Sequence, residues 1–137
     1  LPRETKIYRV IDANINRLTE GIRVCEDIIR FLINDYSIWI KFKKVRHEIS
    51  AIVKKITARH KLIEHRDIVR DVGKKSIKSE SRRDNYQQIF FANIQRTKES
   101  LRVLEEFSKL LGNSQTQKIK KIRYKIYALE KEAAFKF

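Results

Sequence analysis

The sequence predicts an all-α protein, a four-helix bundle made of two tandem-repeated helical hairpins with a long connection between them. Three observations predict it. Apolar residues recur in steps of three and four along most of the 137 residues, the period of an amphipathic helix. One Pro and three Gly leave few breakers, which favours long helices over sheet. Finally, ANINRLTEGIRVCE (13–26) returns as ANIQRTKESLRVLE (92–105), and KVRHEI (44–49) returns as KIRYKI (121–126).

The first helix is expected from about Thr5 to Asn34, on the stripe Ile7, Ile11, Ile15, Leu18, Ile22, Cys25, Ile29 and Leu32. The second, from Ser37 to Arg59, carries Ile38, Phe42, Val45, Ile49, Ile52 and Ile56 in the same rhythm. A third begins near Asp84, a good N-cap, and stops at the pair Gly112-Asn113. Ser114 can cap the fourth, whose stripe is Ile119, Ile122, Ile126, Leu129 and Ala133. The chain therefore divides as a single domain into repeat one (5–59), a connecting segment (60–83) and repeat two (84–137). The connecting segment has no counterpart in the repeat and carries Arg66, Asp67, Arg70, Asp71, Gly73, Lys74, Lys75 and Lys78. A connection that long in so small a domain is usually functional or disordered.

The repeat keeps polar letters. Eight of its fourteen positions are identical, and five of the eight are Asn, Arg, Glu, Arg and Glu. At about 100° per residue, Asn14, Arg17 and Gly21 share a stripe with Val10, Val24 and Ile28 at the edge of the core. In the second copy the stripe reads Ile89, Asn93, Arg96, Ser100, Val103 and Phe107. A partly buried arginine needs an anion, because its desolvation is costly unless paired. Two readings are open. Arg17 and Arg96 pair with Glu20 and Glu99 and hold the bundle together, or two Asn-Arg pairs line a cleft and bind phosphate, with Gly21 or Ser100 leaving room beside them. Arg23 and Arg102 lie within i+3 reach of Glu26 and Glu105 and are expected to pair with them. Arg46 and Arg123, each beside a core position, are further candidate donors.

Composition narrows the classes. The net charge of +15 attracts polyanions, whether nucleic acid, an acidic membrane surface or phosphorylated small molecules. No apolar run approaches the roughly 18 residues that a membrane span needs. Cys25 is the only cysteine, so an internal disulfide is excluded and a reducing, cytoplasmic location fits. The chain starts without Met, as a trimmed or excised sequence would. There is no phosphate-binding G-x-x-x-x-G-K-[ST] loop and no dinucleotide fingerprint. His47, His60 and His65 are not spaced with Cys25 as a metal site. Chemistry would then rest on Arg, Lys, Asn and carboxylates, the residues of phosphoryl transfer by positioning and charge neutralisation.

YRVIDANINRLTEGIRVCEDIIRF (8–31), the RD…DVG stretch at 66–73, NIQRTKESLRVLEEFSKL (93–110) and KIRYKIYALEK (121–131) together resemble a small hydroxymethylpyrimidine-phosphate kinase family of thiamine biosynthesis. Its members stand alone or are fused to thiamine-phosphate synthase. The resemblance covers nearly the whole chain, in order. It implies an ATP- and Mg²⁺-dependent conversion of a phosphorylated pyrimidine to its diphosphate, with a thiamine-phosphate synthase neighbour or a homo-oligomer as partner and no membrane. Arg17 and Arg96 would then hold phosphates as catalytic groups, with Asn14 and Asn93, and Arg46 and Arg123 would be second-line contacts. Asp67 and Asp71 would hold Mg²⁺. Gly73 would let the backbone turn close to a phosphate, and Arg66 would swing onto it. Glu20, Glu26, Glu99 and Glu105 remain alternatives for the metal ligand or base. Two other functions stay open on the residues alone: a basic helical nucleic-acid-binding module, and a non-catalytic helical domain that docks onto a partner enzyme.

Overall fold

A computed structural model describes residues 3–77, 81–112 and 115–137. Lys78, Asn113 and the expected cap Ser114 lie outside the described residues. The fold is all-α, as the sequence predicts, and no strand occurs among the described residues.

Helix α1 spans Arg3–Asp27 and buries Ile7, Ile11, Ile15, Leu18, Ile22 and Cys25. It runs on into a π-helical turn, Ile28–Ile33, which ends at Asn34 in the left-handed region (φ 58°). Asp35 then caps α2 (Tyr36–Ile56), its Oδ1 accepting the Ile38 amide at 2.9 Å. Helix α2 stops at Ile56, short of the expected Arg59, because Thr57 is fully extended (φ −164°, ψ 165°). That break allows a further helix, α3 (Arg59–His65), inside the expected connection. Helix α4 (Tyr86–Ser108) is capped by Asn85, whose side chain accepts the Gln88 amide, and not by Asp84. Asp84 instead donates its amide to Gln88 Oε1 at 3.0 Å, one residue earlier. A 3₁₀ turn, Lys109–Leu111, closes α4 at Gly112, which is left-handed (φ 61°). Helix α5 spans Thr116–Ala134 and buries all five residues of the expected stripe.

The helices close a ring: α1 packs on α4, α4 on α5, α5 on α2 and α2 on α1. The most extensive contact joins α1 to α4, the two duplicated helices, instead of either helix to its sequence neighbour. They run antiparallel, since Gly21 faces Asn93 and Thr97 while Cys25 Sγ donates to the Phe90 carbonyl. A Cβ on Gly21 would stand 2.8 Å from Thr97 Oγ1 and 3.1 Å from the Asn93 carbonyl. The glycine thus serves a close helix crossing. The space expected beside Arg17 for an anion is filled at this point by α4, and Ser100 is likewise buried.

The repeated Glu and Arg letters tie each helix pair together. Arg46 Nε and Nη2 donate to the Glu26 carboxylate at 2.6 and 3.2 Å, joining α2 to α1. Arg123 Nε donates to Glu105 Oε2 at 2.9 Å, joining α5 to α4. Both carboxylates are buried, so each needs its cation. Arg23 and Arg102 add i,i+3 pairs to the same carboxylates, as the spacing predicts. No helix of the described residues is long and apolar enough to cross a membrane.

Candidate functional site

The site lies where the segment after α3 folds back along the outer face of α1. Docking begins with ring stacking of His65 on Tyr8, centroids 5.3 Å apart and 12° from parallel. Leu62 is buried beside it. Arg66 then clamps Asp12 through two parallel bonds, Nε to Oδ2 and Nη2 to Oδ1, both 2.7 Å. Asn16 supports the same carboxylate, its Nδ2 donating to Asp12 Oδ1 at 3.2 Å and to the Asp12 carbonyl at 3.0 Å. The bidentate pair holds the Arg66 guanidinium protonated beyond the ordinary range, first through the hydrogen bond to Asp12 and then through its charge. Its Nη1 carries no bond among the described residues and remains available to an acceptor.

Beyond this clamp lies a cleft of about 720 Å³. Asn14, Arg17, Arg66, Asp67 and Asp71 all line it, so five of the predicted residues meet in one place. Arg17 is exposed, not partly buried as expected, and makes no ion pair among the described residues. Asn14 is buried behind it and donates Nδ2 to the Val10 carbonyl at 2.8 Å. Lys6 and Arg9 add positive charge and Glu20 negative charge, so four cations and four carboxylates line the cleft. Arg9 reaches the Asp67 carbonyl with Nη2 at 3.5 Å and so ties the loop to α1.

Asp67 Oδ1 accepts the Arg70 amide at 3.0 Å. That bond, more than the nearby Arg70 and Arg9 charges, holds the carboxyl below its ordinary range, with burial opposing. Asp71 Oδ1 accepts the Gly73 amide at 2.8 Å, and its Oδ2 is uncommitted among the described residues. Gly73 itself neither lines the cleft nor takes a left-handed conformation, and its amide is used by Asp71. No group of three or more His, Cys, Asp or Glu able to hold a metal occurs among the described residues. Mg²⁺ needs only one or two carboxylates and completes its shell with phosphate oxygens and water. The two carboxylates Asp67 and Asp71 meet that minimum of one or two carboxylates, and they form no preformed cage among the described residues.

The second copy is placed differently. Asn93 repeats the Asn14 bond, Nδ2 to the Ile89 carbonyl at 2.8 Å. Arg96 is exposed and unpaired among the described residues, yet it lies outside the cleft. Neither Arg17 nor Arg96 pairs with Glu20 or Glu99; Glu99 instead accepts Gln95 Nε2. Arg46 and Arg123 sit in the Glu26 and Glu105 clasps and away from the cleft residues. Arg123 also donates Nη1 to the Tyr127 hydroxyl at 3.4 Å.

Asp12 was the residue that sequence reasoning missed. Two signals mark it: it breaks the repeat, since position 91 is Phe, and it is an acid between Tyr8 and Ile15 on the apolar face. Arg9, Asn16 and Lys6 carry no comparable signal, because singly placed polar residues on an exposed face are ordinary.

A small all-α domain whose connecting segment folds back on its first helix, forming a cleft lined by arginines and carboxylates, is the class that fold and site define. The chain belongs to the ThiD2 family, whose model matches residues 9–132. It is 35% identical over 131 residues to a thiamine-phosphate synthase of Rhodopirellula baltica, covering 95% of this chain and 35% of that protein. A thiamine-phosphate synthase of a Nostoc species is 34% identical over 125 residues, covering 90% of this chain and 34% of the relative. One from a Synechocystis species is 34% identical over 127 residues, at 92% and 36%. The chain thus spans about a third of the length of these relatives. No solved structure matches it. The family context is thiamine biosynthesis.

Proposed function

We propose that this chain is a phosphotransferase that converts hydroxymethylpyrimidine phosphate to its diphosphate with ATP. One observation carries the reading: Arg17, exposed and unpaired among the described residues, shares a single cleft with the clamped Arg66 and the carboxylates Asp67 and Asp71. Transfer of a phosphoryl group needs positive charge around its equatorial oxygens and little covalent help from the protein. Arg17 and Nη1 of Arg66 supply donors, and Lys6 and Arg9 supply field.

In the reaction an ionised oxygen of the pyrimidine monophosphate attacks the γ-phosphorus of ATP. The bond from that phosphorus to the β,γ-bridging oxygen breaks, and ADP leaves with the electron pair. The nucleophile is already ionised at neutral pH, so no strong general base is required. Asp12 is a positioning residue, since it fixes the plane of the Arg66 guanidinium. Asp67 and Asp71 would hold Mg²⁺, which would supply neutralisation of the phosphate charge. The longer relatives suggest a thiamine-phosphate synthase neighbour that consumes the product.

A coupled assay of ADP release tests the reading, run with hydroxymethylpyrimidine monophosphate and with unphosphorylated hydroxymethylpyrimidine. Turnover with the monophosphate is expected. Silence with both, from folded protein, removes the proposal.

A further inference from the structure

A second groove, of about 620 Å³, opens on the other side of the Asp12–Arg66 clamp. Helices α1, α2 and α3 form its walls; Ile15, Val53, Ala58, Leu62 and Ile63 are aliphatic, and Lys54 and Arg59 add two cations. Thr19, Ser50 and Thr57 place hydroxyls around them. Ile63, although aliphatic, is 53% exposed at the mouth. Asp12, Asn16 and Arg66 line both this groove and the first cleft, so the two spaces adjoin at these side chains.

From this juxtaposition we infer that the groove seats the pyrimidine ring of the phosphorylated substrate, while its phosphate reaches past Arg66 into the cleft. The inference rests on the phosphotransferase reading and deepens it. The aliphatic side chains suit the faces of a flat, methylated heteroaromatic ring, and the hydroxyls and the Asn16 amide suit its amino group and ring nitrogens. Reach decides between the two rings involved. In hydroxymethylpyrimidine phosphate a single methylene and an ester oxygen separate ring from phosphorus, so the ring must sit beside the phosphate site. In ATP a ribose and two phosphates separate adenine from the transferred group, so adenine has no need of an adjoining groove. Clamping Arg66 on Asp12 serves this arrangement, because the guanidinium stays at the boundary with Nη1 to spare.

The test uses the full chain with ¹³C-labelled methyl groups, titrated separately with unphosphorylated hydroxymethylpyrimidine and with AMP. The methyl signals of Ile15, Val53, Leu62 and Ile63 are expected to move with the pyrimidine and to stay in place with AMP. Ser50→Phe, at an exposed position on α2 facing the groove, is expected to raise KM for the pyrimidine phosphate about tenfold with KM for ATP unchanged. Movement with AMP alone, or no movement with the pyrimidine, overturns the assignment. Methyl shifts from the pyrimidine in a chain that releases no ADP keep the groove assignment and remove the phosphotransferase reading.

Discussion

Arg17 and Arg96 hold equivalent places in the duplicated segment, yet only Arg17 lines the cleft. The difference comes from the connecting segment, which folds against α1 and has no second copy to fold against α4. Arg17→Ala is therefore expected to lower kcat/KM by about 10²–10³-fold, the usual loss for a donor to developing charge. Arg96→Ala is expected to stay close to wild type. Both side chains are exposed and unpaired among the described residues, so thermal melts of either variant are expected within about 0.5 kcal/mol of wild type. Equal losses in the two variants would show that the copies act together. Asp67 gives a pH prediction at the same scale. Its carboxyl lies below its ordinary range because it accepts the Arg70 amide. A depressed carboxyl stabilises the loop above its unfolded pKa of about 3.9, and that contribution is lost as pH falls through the lower, folded value. The Arg70 amide resonance is expected to stay constant from pH 7 to 5 and to move only in acid below the ordinary carboxylate range. Movement centred above pH 5 would contradict the assignment.

The long helices were legible because burial writes a stripe of three and four along them; each expected stripe is in the core except for Leu32, 57% exposed in the π-helical turn, and Ile52, which is partly buried. Helix α3 was not legible: seven residues with only Leu62 buried are too few to show a period. What forms it is the extended Thr57 before it and the Arg66–Asp12 clamp after it, a tertiary partner 54 residues away. Of the residues that line the cleft, Asn14 and Arg17 stand out in the sequence through the repeat, and Arg66, Asp67 and Asp71 through the charged connecting segment and the family resemblance. Asp12 was hidden among apolar neighbours. The duplicated Arg46 and Arg123 looked like anion donors because spacing cannot show that Glu26 and Glu105 lie opposite them. Arg123→Ala strands a buried carboxylate and is expected to cost about 3–5 kcal/mol. Arg46→Ala is expected to cost less, because that side chain is 25% exposed against 9% for Arg123, while each carboxylate keeps its i,i+3 arginine nearby. Chemical denaturation of both variants measures the order, and a reversed order would contradict the burial argument. At the α1–α4 crossing, Gly21→Ala gains roughly 1 kcal/mol of helix propensity but overpacks, at about 1–3 kcal/mol. A net loss of stability is expected, partly restored when Thr97→Ala is added, because the 2.8 Å contact then disappears.

At the scale of the molecule, the duplication builds a frame and the unduplicated segment builds the site. Two antiparallel copies of one helix form the most extensive contact, and each is tied to its partner by the same Glu–Arg pair. Symmetry of that kind offers two similar faces, and α3 with residues 66–77 covers one of them. The +15 charge fits phosphorylated ligands but does not select them over other polyanions. Its steering is screened by salt, so KM for the phosphorylated substrate is expected to rise as the Debye length falls from about 10 Å at 0.1 M to about 3 Å at 1 M. The central claim, the proposed transfer of a phosphoryl group to a pyrimidine monophosphate in the cleft between Arg17 and Arg66, is tested most directly by ³¹P NMR. The chain is incubated with ATP, Mg²⁺ and hydroxymethylpyrimidine monophosphate, and the phosphorus signals are followed with time. Coupled resonances of a new diphosphate, growing in step with ADP and absent with Arg17→Ala, are the predicted result. An unchanged monophosphate signal in the presence of folded wild-type protein would contradict it.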